Sequence, residues 1–79
     1  MIISAQIRAA RTALGWTTSQ LADRAGVATR TVLRIEASLG VPGANSSTLH
    51  KIQNALEAAG IEFIGSPKDA PGIRIHTRD

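Results

Sequence analysis

The sequence predicts a mainly α fold: four helices in a compact domain, followed by a short C-terminal two-strand β extension. Three observations point there. Apolar residues recur at helical spacing in four successive segments, most of them opened by a capping residue and closed by glycine. The stretch Trp16–Ala37, WTTSQLADRAGVATRTVLRIEA, joins two of these segments through a tight turn. Beyond Gly60 the apolar residues alternate instead, and prolines make a further helix unfavourable.

The first helix is expected from Ser4, as its cap, to Leu14, with Gly15 as terminator. Ile7, Ala10, Arg11 and Leu14 fall at i, i+3, i+4 and i+7, so one face is apolar and Arg11 lies on it. An arginine in that position either snorkels its head group out to water or finds a partner. Thr17 and Gln20 form a capping box that opens the second helix, each side chain serving an amide that helix initiation leaves unpaired. Leu21, Ala22 and Ala25 give that helix its buried side. Gly26 then ends it, being the residue best able to take a left-handed conformation.

Val27 packs inward, and the third helix runs from about Ala28 or Thr29 to Ala37 with Val32 and Ile35 buried. With Arg30 as origin of the helical wheel, Val32 falls at roughly 200°, Ile35 at roughly 140° and Arg34 at roughly 40°. Arg30 and Arg34 therefore point together, away from the core, as a helix entering the DNA major groove requires. Leu33 lies roughly 60° from Arg30 and either rests part-exposed at the core edge, the favoured placement, or meets a thymine methyl.

Leu39–Ser46, LGVPGANS, reads as a loop. Ser46 or Ser47 caps a fourth helix, Thr48–Ala59, with Leu49, Ile52 and Leu56 as its buried stripe and Gly60 at its end. Ile61–Ile64 and Ile73–His76 then read as two strands, with GSPKDAPG between them as a loop. Their apolar residues Ile61, Phe63, Ile73 and Ile75 are expected to form a dimer interface. An isolated hairpin is marginal in water, and pairing with a second chain would cover both its edges and its apolar face. The competing arrangement folds the tail onto its own fourth helix and leaves the dimer to helices.

Composition bounds the function. Seventy-nine residues make one modest core, burying roughly 60% of the unfolded surface. Cysteine is absent, which removes disulfides and thiolate metal sites and fits a reducing cytoplasm. No apolar run approaches the ~20 residues of a membrane span, and no signal-peptide core follows Met1. Nine Lys and Arg against six Asp and Glu give a net charge of +3, which favours a polyanionic partner without demanding one. Arg24, Arg30 and Arg34 concentrate that charge in the two-helix segment.

No catalytic constellation is legible. His50 and His76 lack cysteine or carboxylate neighbours at metal-ligand spacing. Ser46 and Ser47 are better explained as caps than as nucleophiles. Gly40, Gly43 and Gly60 form no phosphate loop, since no strand precedes them and no lysine–serine pair follows. Trp16 and Phe63 are too few for a single-strand stacking platform and read as core. The expectation is no enzyme, no cofactor and no metal.

The pattern Leu21-Ala22, Gly26-Val27, Thr31-Val32, Ile35 and Glu36 resembles the helix-turn-helix family of phage Cro proteins and repressors, the Xre or lambda-repressor-like family, over about Ser4–Phe63. The resemblance implies residues 1–60 as a helix-turn-helix DNA-binding domain; the alternation beyond Gly60, not the resemblance, makes residues 61–79 a β-strand tail and the expected dimerisation element. The resemblance also implies base contacts by Thr29, Arg30 and Arg34, phosphate contacts by Thr17, Thr18 and Thr31, and a structural ion pair between Arg11 and Glu36. Two departures stand out. Ala28 replaces the usual serine or threonine cap, at a typical cost of ~1 kcal/mol, with Thr29 the alternative cap one residue on. The tail replaces a fifth helix.

The resulting expectation is a cytoplasmic transcriptional regulator, a repressor binding a palindromic operator in double-stranded DNA as a homodimer. One rival is an antitoxin that binds a toxin protein and its own promoter. The other is a protein-interaction adaptor without DNA binding. A protein partner, toxin or regulator, remains open, and no membrane partner is expected.

Overall fold

A computed structural model describes residues 2–40 and 42–77; Val41 of the expected loop, Met1 and the last two residues of the tail lie outside them. The order is α1 (Ser4–Ala13), α2 (Thr18–Ala25), α3 (Thr29–Ala37), α4 (Ser46–Ala58), β1 (Ile61–Ser66) and β2 (Asp69–Ile75). Ile7, Ala10, Leu21, Ala22, Ala25, Val32, Ile35, Ile52 and Leu56 form the core together with Ile2 and Ile61. The helical period therefore buries most of the residues it was expected to bury, with Leu14 and Leu49 only half-buried at the margin.

Helix ends follow local hydrogen-bond chemistry, and two caps differ from expectation. Thr17 Oγ1 accepts from Gln20 N at 3.0 Å and Gln20 Oε1 accepts from Thr17 N at 2.8 Å, completing the capping box of α2. Gly26 closes that helix at φ +73°, where any side chain would be strained. Ser4 is not a cap but the first residue of α1, with its hydroxyl buried and unpartnered among the described residues. The opening amide of Ile3 instead donates to Gln6 Oε1 at 2.8 Å, and Ser4 N donates to the Gly40 carbonyl at 2.9 Å. At α4 the cap is Asn45, whose Oδ1 accepts from Thr48 N at 2.8 Å; Ser46 and Ser47 are already helical. An Asx side chain upstream of both serines satisfies an orphan amide of the first turn, the service expected of either serine.

The strands are longer than the sequence suggested and the loop shorter. β1 and β2 pair antiparallel with Ile61 opposite Ile75, Phe63 opposite Ile73, and Ser66 opposite Asp69, so only Pro67 and Lys68 connect them. A bulge between Ile64 and Ser66 absorbs the irregularity that Gly65 and Pro71 introduce. A two-stranded sheet has a free edge on each strand, where proline is tolerated.

The hairpin does not stand apart. It packs on α1 through β2 and on α4 through β1. Ile61 is buried in the common core, with Phe63 and Ile73 packed against it, while Ile75 is 50% exposed. The apolar face expected to meet a second chain thus packs in part on the chain's own helices, with Phe63 and Ile73 half-buried and Ile75 open. Gln6 fastens the arrangement. Its buried amide donates to the Ile64 carbonyl at 3.1 Å and the Gly72 carbonyl at 2.8 Å, one from each strand.

Gly60 carries the turn from α4 into β1 at φ +104°, and a Cβ built there would lie 2.6 Å from the His76 carbonyl oxygen. That carbonyl belongs to the residue whose amide donates to Gly60 O at 2.7 Å, so neither backbone can retreat without loosening the hairpin. Gly60→Ala should cost about 2–3 kcal/mol, read as a fall in urea midpoint with an unchanged m-value. An unchanged midpoint would mean that the junction is slack.

Candidate nucleic-acid interface

The site is built on α3 and the start of α2. Helix α3 buries Val32 and Ile35 against the core, and that rotation alone turns Arg30, Leu33 and Arg34 outward, where all three are exposed. Neither arginine has an ion-pair partner among the described residues. Thr29 is the first helical residue and not a cap; Ala28 occupies the cap position with no side-chain hydrogen bond. Helix α3 thus keeps its full length despite the alanine. The half-buried Thr29 places Oγ1 3.5 Å from Ser19 Oγ on α2, and Thr31 is half-buried in the same turn.

Thr17 and Thr18 lie at the N-terminus of α2, Thr17 exposed and Thr18 half-buried. The Thr17 hydroxyl is engaged as acceptor by the capping box, which leaves its proton to donate outward. Unpaired amides at that helix end also favour an anion.

The third helix is held from behind by α1. Arg11 Nε donates to Glu36 Oε2 at 2.7 Å and Nη2 to Glu36 Oε1 at 3.0 Å, a bidentate fork. Side-chain exposures of 18% for Arg11 and 8% for Glu36 put the pair largely out of water. The hydrogen bond it donates to Glu36 holds the Arg11 guanidinium above its ordinary pKa against the opposing effect of burial. Arg11 Nη1 also donates to the Trp16 carbonyl at 2.8 Å, so one side chain ties α1, the α1–α2 turn and α3 together. Arg8 adds a further tie, donating from Nη1 to the Glu36 carbonyl at 2.8 Å, where the negative end of the α3 dipole welcomes a cation.

Residues 7–59 match the family model described as Helix-turn-helix. The chain belongs to the Xre/lambda-repressor-like helix-turn-helix family. The match spans nearly all of α1 to α4 and stops short of the hairpin. No curated protein matches the chain. Membership makes this helix-turn-helix protein a DNA-binding regulator. Among its described residues, no helix is long and apolar enough to cross a membrane.

Within the helix-turn-helix motif the structure brings Thr29, Arg30, Thr31 and Arg34 onto one helix and sets Thr17 and Thr18 at the start of the preceding one. Arg24 behaves differently from the other two arginines of the segment: its guanidinium stacks over the Trp16 ring at 4.4 Å. That contact gives the part-exposed tryptophan a role at the surface end of α2 as well as against the core. Sequence reasoning missed Arg8, Gln6 and the Arg24–Trp16 stack. Gln6 left a signal, since it lies four residues before the buried Ala10 and so on the apolar side of α1. Arg8 left none, because an exposed helical arginine has many ordinary uses.

The hairpin's outer face carries a second charged group. Arg74 Nη1 lies 3.2 Å from Glu62 Oε1, and His76 Nε2 lies 2.7 Å from the same oxygen. The His76 hydrogen bond, with Arg74 behind it, lowers the Glu62 pKa below its ordinary value. All three groups are well exposed, so the cluster marks the water-facing side of the sheet.

Proposed function

We propose that this chain is a sequence-specific transcriptional repressor that binds a palindromic operator as a homodimer in the cytoplasm, acting by binding and not by catalysis. The observation that carries the reading is the pair of exposed arginines, Arg30 and Arg34, one turn apart on a helix clamped from behind by Arg11, Glu36 and Arg8. An arginine fork can bond O6 and N7 of one guanine together. Thr29 contributes a further base contact. Thr17, Thr18 and Thr31 take phosphate oxygens and set the register of α3 in the major groove. No cofactor is required.

Two copies related by a twofold axis would place their α3 helices about one DNA turn, ~34 Å, apart. The tail contributes to that dimer through Ile75 and the strand edges, with Ile61, Phe63 and Ile73 supporting the surface from the core side. A domain whose helices and hairpin share one core represses by occupying DNA and excluding other proteins.

Selection of bound fragments from random duplex DNA tests the proposal. The expected product is an inverted repeat with half-site centres about one helical turn apart. Affinity for it should fall steeply with salt, with a log–log slope of roughly −5 to −7 if each half-site engages ~3–4 phosphates. A pool that never enriches, or an affinity indifferent to salt, would contradict it.

A further inference from the structure

Leu33 is 53% exposed on α3, an unusual place for a large apolar side chain on a face otherwise marked by arginines. Its direction follows from the helix itself. Val32 and Ile35 are buried, which fixes the rotation of α3 and leaves Leu33, Arg30 and Arg34 on the outward arc, with the exposed Ala37 between Leu33 and Arg30 on the wheel. Ala37 is small and does not cover Leu33, which keeps about half of its surface open to whatever α3 meets.

The geometry points to Leu33 as a specificity-determining residue that reads the 5-methyl group of a thymine in the major groove. The inference rests on the reading of α3 as the groove-entering helix and adds to it a second class of base. Arginines discriminate through guanine acceptors, and a leucine has no hydrogen bond to offer. In the major groove the apolar feature of a base pair is the thymine methyl. An exposed leucine carried into the groove would displace water from hydrated base edges at no gain unless such a methyl lies opposite. Leu33 therefore also selects against half-sites with cytosine at that step.

The test replaces thymines of the selected operator one at a time by deoxyuridine, which keeps every hydrogen-bonding group and removes only the methyl. The wild-type chain and Leu33→Ala are titrated against the set. Alanine suits an exposed helix interior, and circular dichroism checks that the variant is folded. The wild-type chain should lose roughly fourfold in affinity per methyl at one thymine position in each half-site. Leu33→Ala should bind the thymine and uracil operators equally at that position while keeping its guanine preferences. A variant that retains the full thymine preference everywhere would overturn the proposal, as would a half-site with no methyl-sensitive thymine. A uniform loss on every operator would also overturn it, because Leu33 would then serve the dimer or the fold. Absence of any selected operator for the wild-type chain would instead sink the proposed function itself.

Discussion

Glu36→Ala is expected to lower the stability of the isolated protein by about 3 kcal/mol, near the lower end of the range for breaking a buried ion pair. The lower end applies because Arg11 keeps 18% of its side chain exposed and can reach water once its partner is gone. Even so, three donors converge on Glu36, two from Arg11 to its carboxylate and one from Arg8 to its carbonyl. Removing the carboxylate leaves the Arg11 fork unpaired in a largely dry site between α1 and α3. A loss of about 3 kcal/mol in a domain this small corresponds to a melting temperature lower by roughly 12–24 °C. Glu36→Gln should fall between alanine and wild type, since an amide retains one acceptor. A Glu36→Ala melting curve that overlays the wild type would mean that the pair contributes nothing net.

Truncation after Gly60 is expected to unfold the chain, the largest effect of any change considered. It removes the buried Ile61 with the packed Phe63 and Ile73, each worth up to ~1.5–3 kcal/mol in proportion to its burial. It also strips Gln6 of both carbonyls that satisfy its buried amide, leaving an orphaned donor at a further cost of ~1–3 kcal/mol. Together these approach the whole stability of a domain of this size, which at ~0.05–0.15 kcal/mol per residue is modest. Far-UV circular dichroism of the truncated chain should show a non-cooperative melt. A truncated chain that melts cooperatively near the wild-type temperature would show that the hairpin is an appendage, whatever its part in a dimer.

That second expectation marks where the sequence was legible and where it was not. The helices were readable because Leu21, Val32, Ile52 and Leu56 repeat at a period only one face of a helix can satisfy. The outward direction of Arg30 and Arg34 followed from the same period. Caps were harder: Asn45, Ser46 and Ser47 stand side by side, each can cap, and only the backbone geometry decides between them. Ser4 shows the same ambiguity from the other side, its cap role supplanted by Gln6. The hairpin was recognised, but proline and glycine in GSPKDAPG hid its length, because both weaken a strand in general while a bulge and a free edge admit them in particular. Its docking onto α1 could not be read at all. That contact depends on Gln6 meeting two carbonyls from residues more than fifty positions away, and no local pattern records such a meeting.

On the proposed reading, α3 recognises DNA through Arg30 and Arg34. The direct test is equilibrium titration of wild type, Arg30→Ala and Arg34→Ala against the selected operator and all its single-base substitutions. Thr18→Ala serves as the phosphate-contact control, expected to weaken every operator nearly uniformly. Each arginine variant should lose ~1–3 kcal/mol on the operator and, with it, the preference for guanine at one position per half-site. Arginine variants that retain wild-type affinity and wild-type base preferences would contradict the account, and the reading surface would have to lie elsewhere on the molecule.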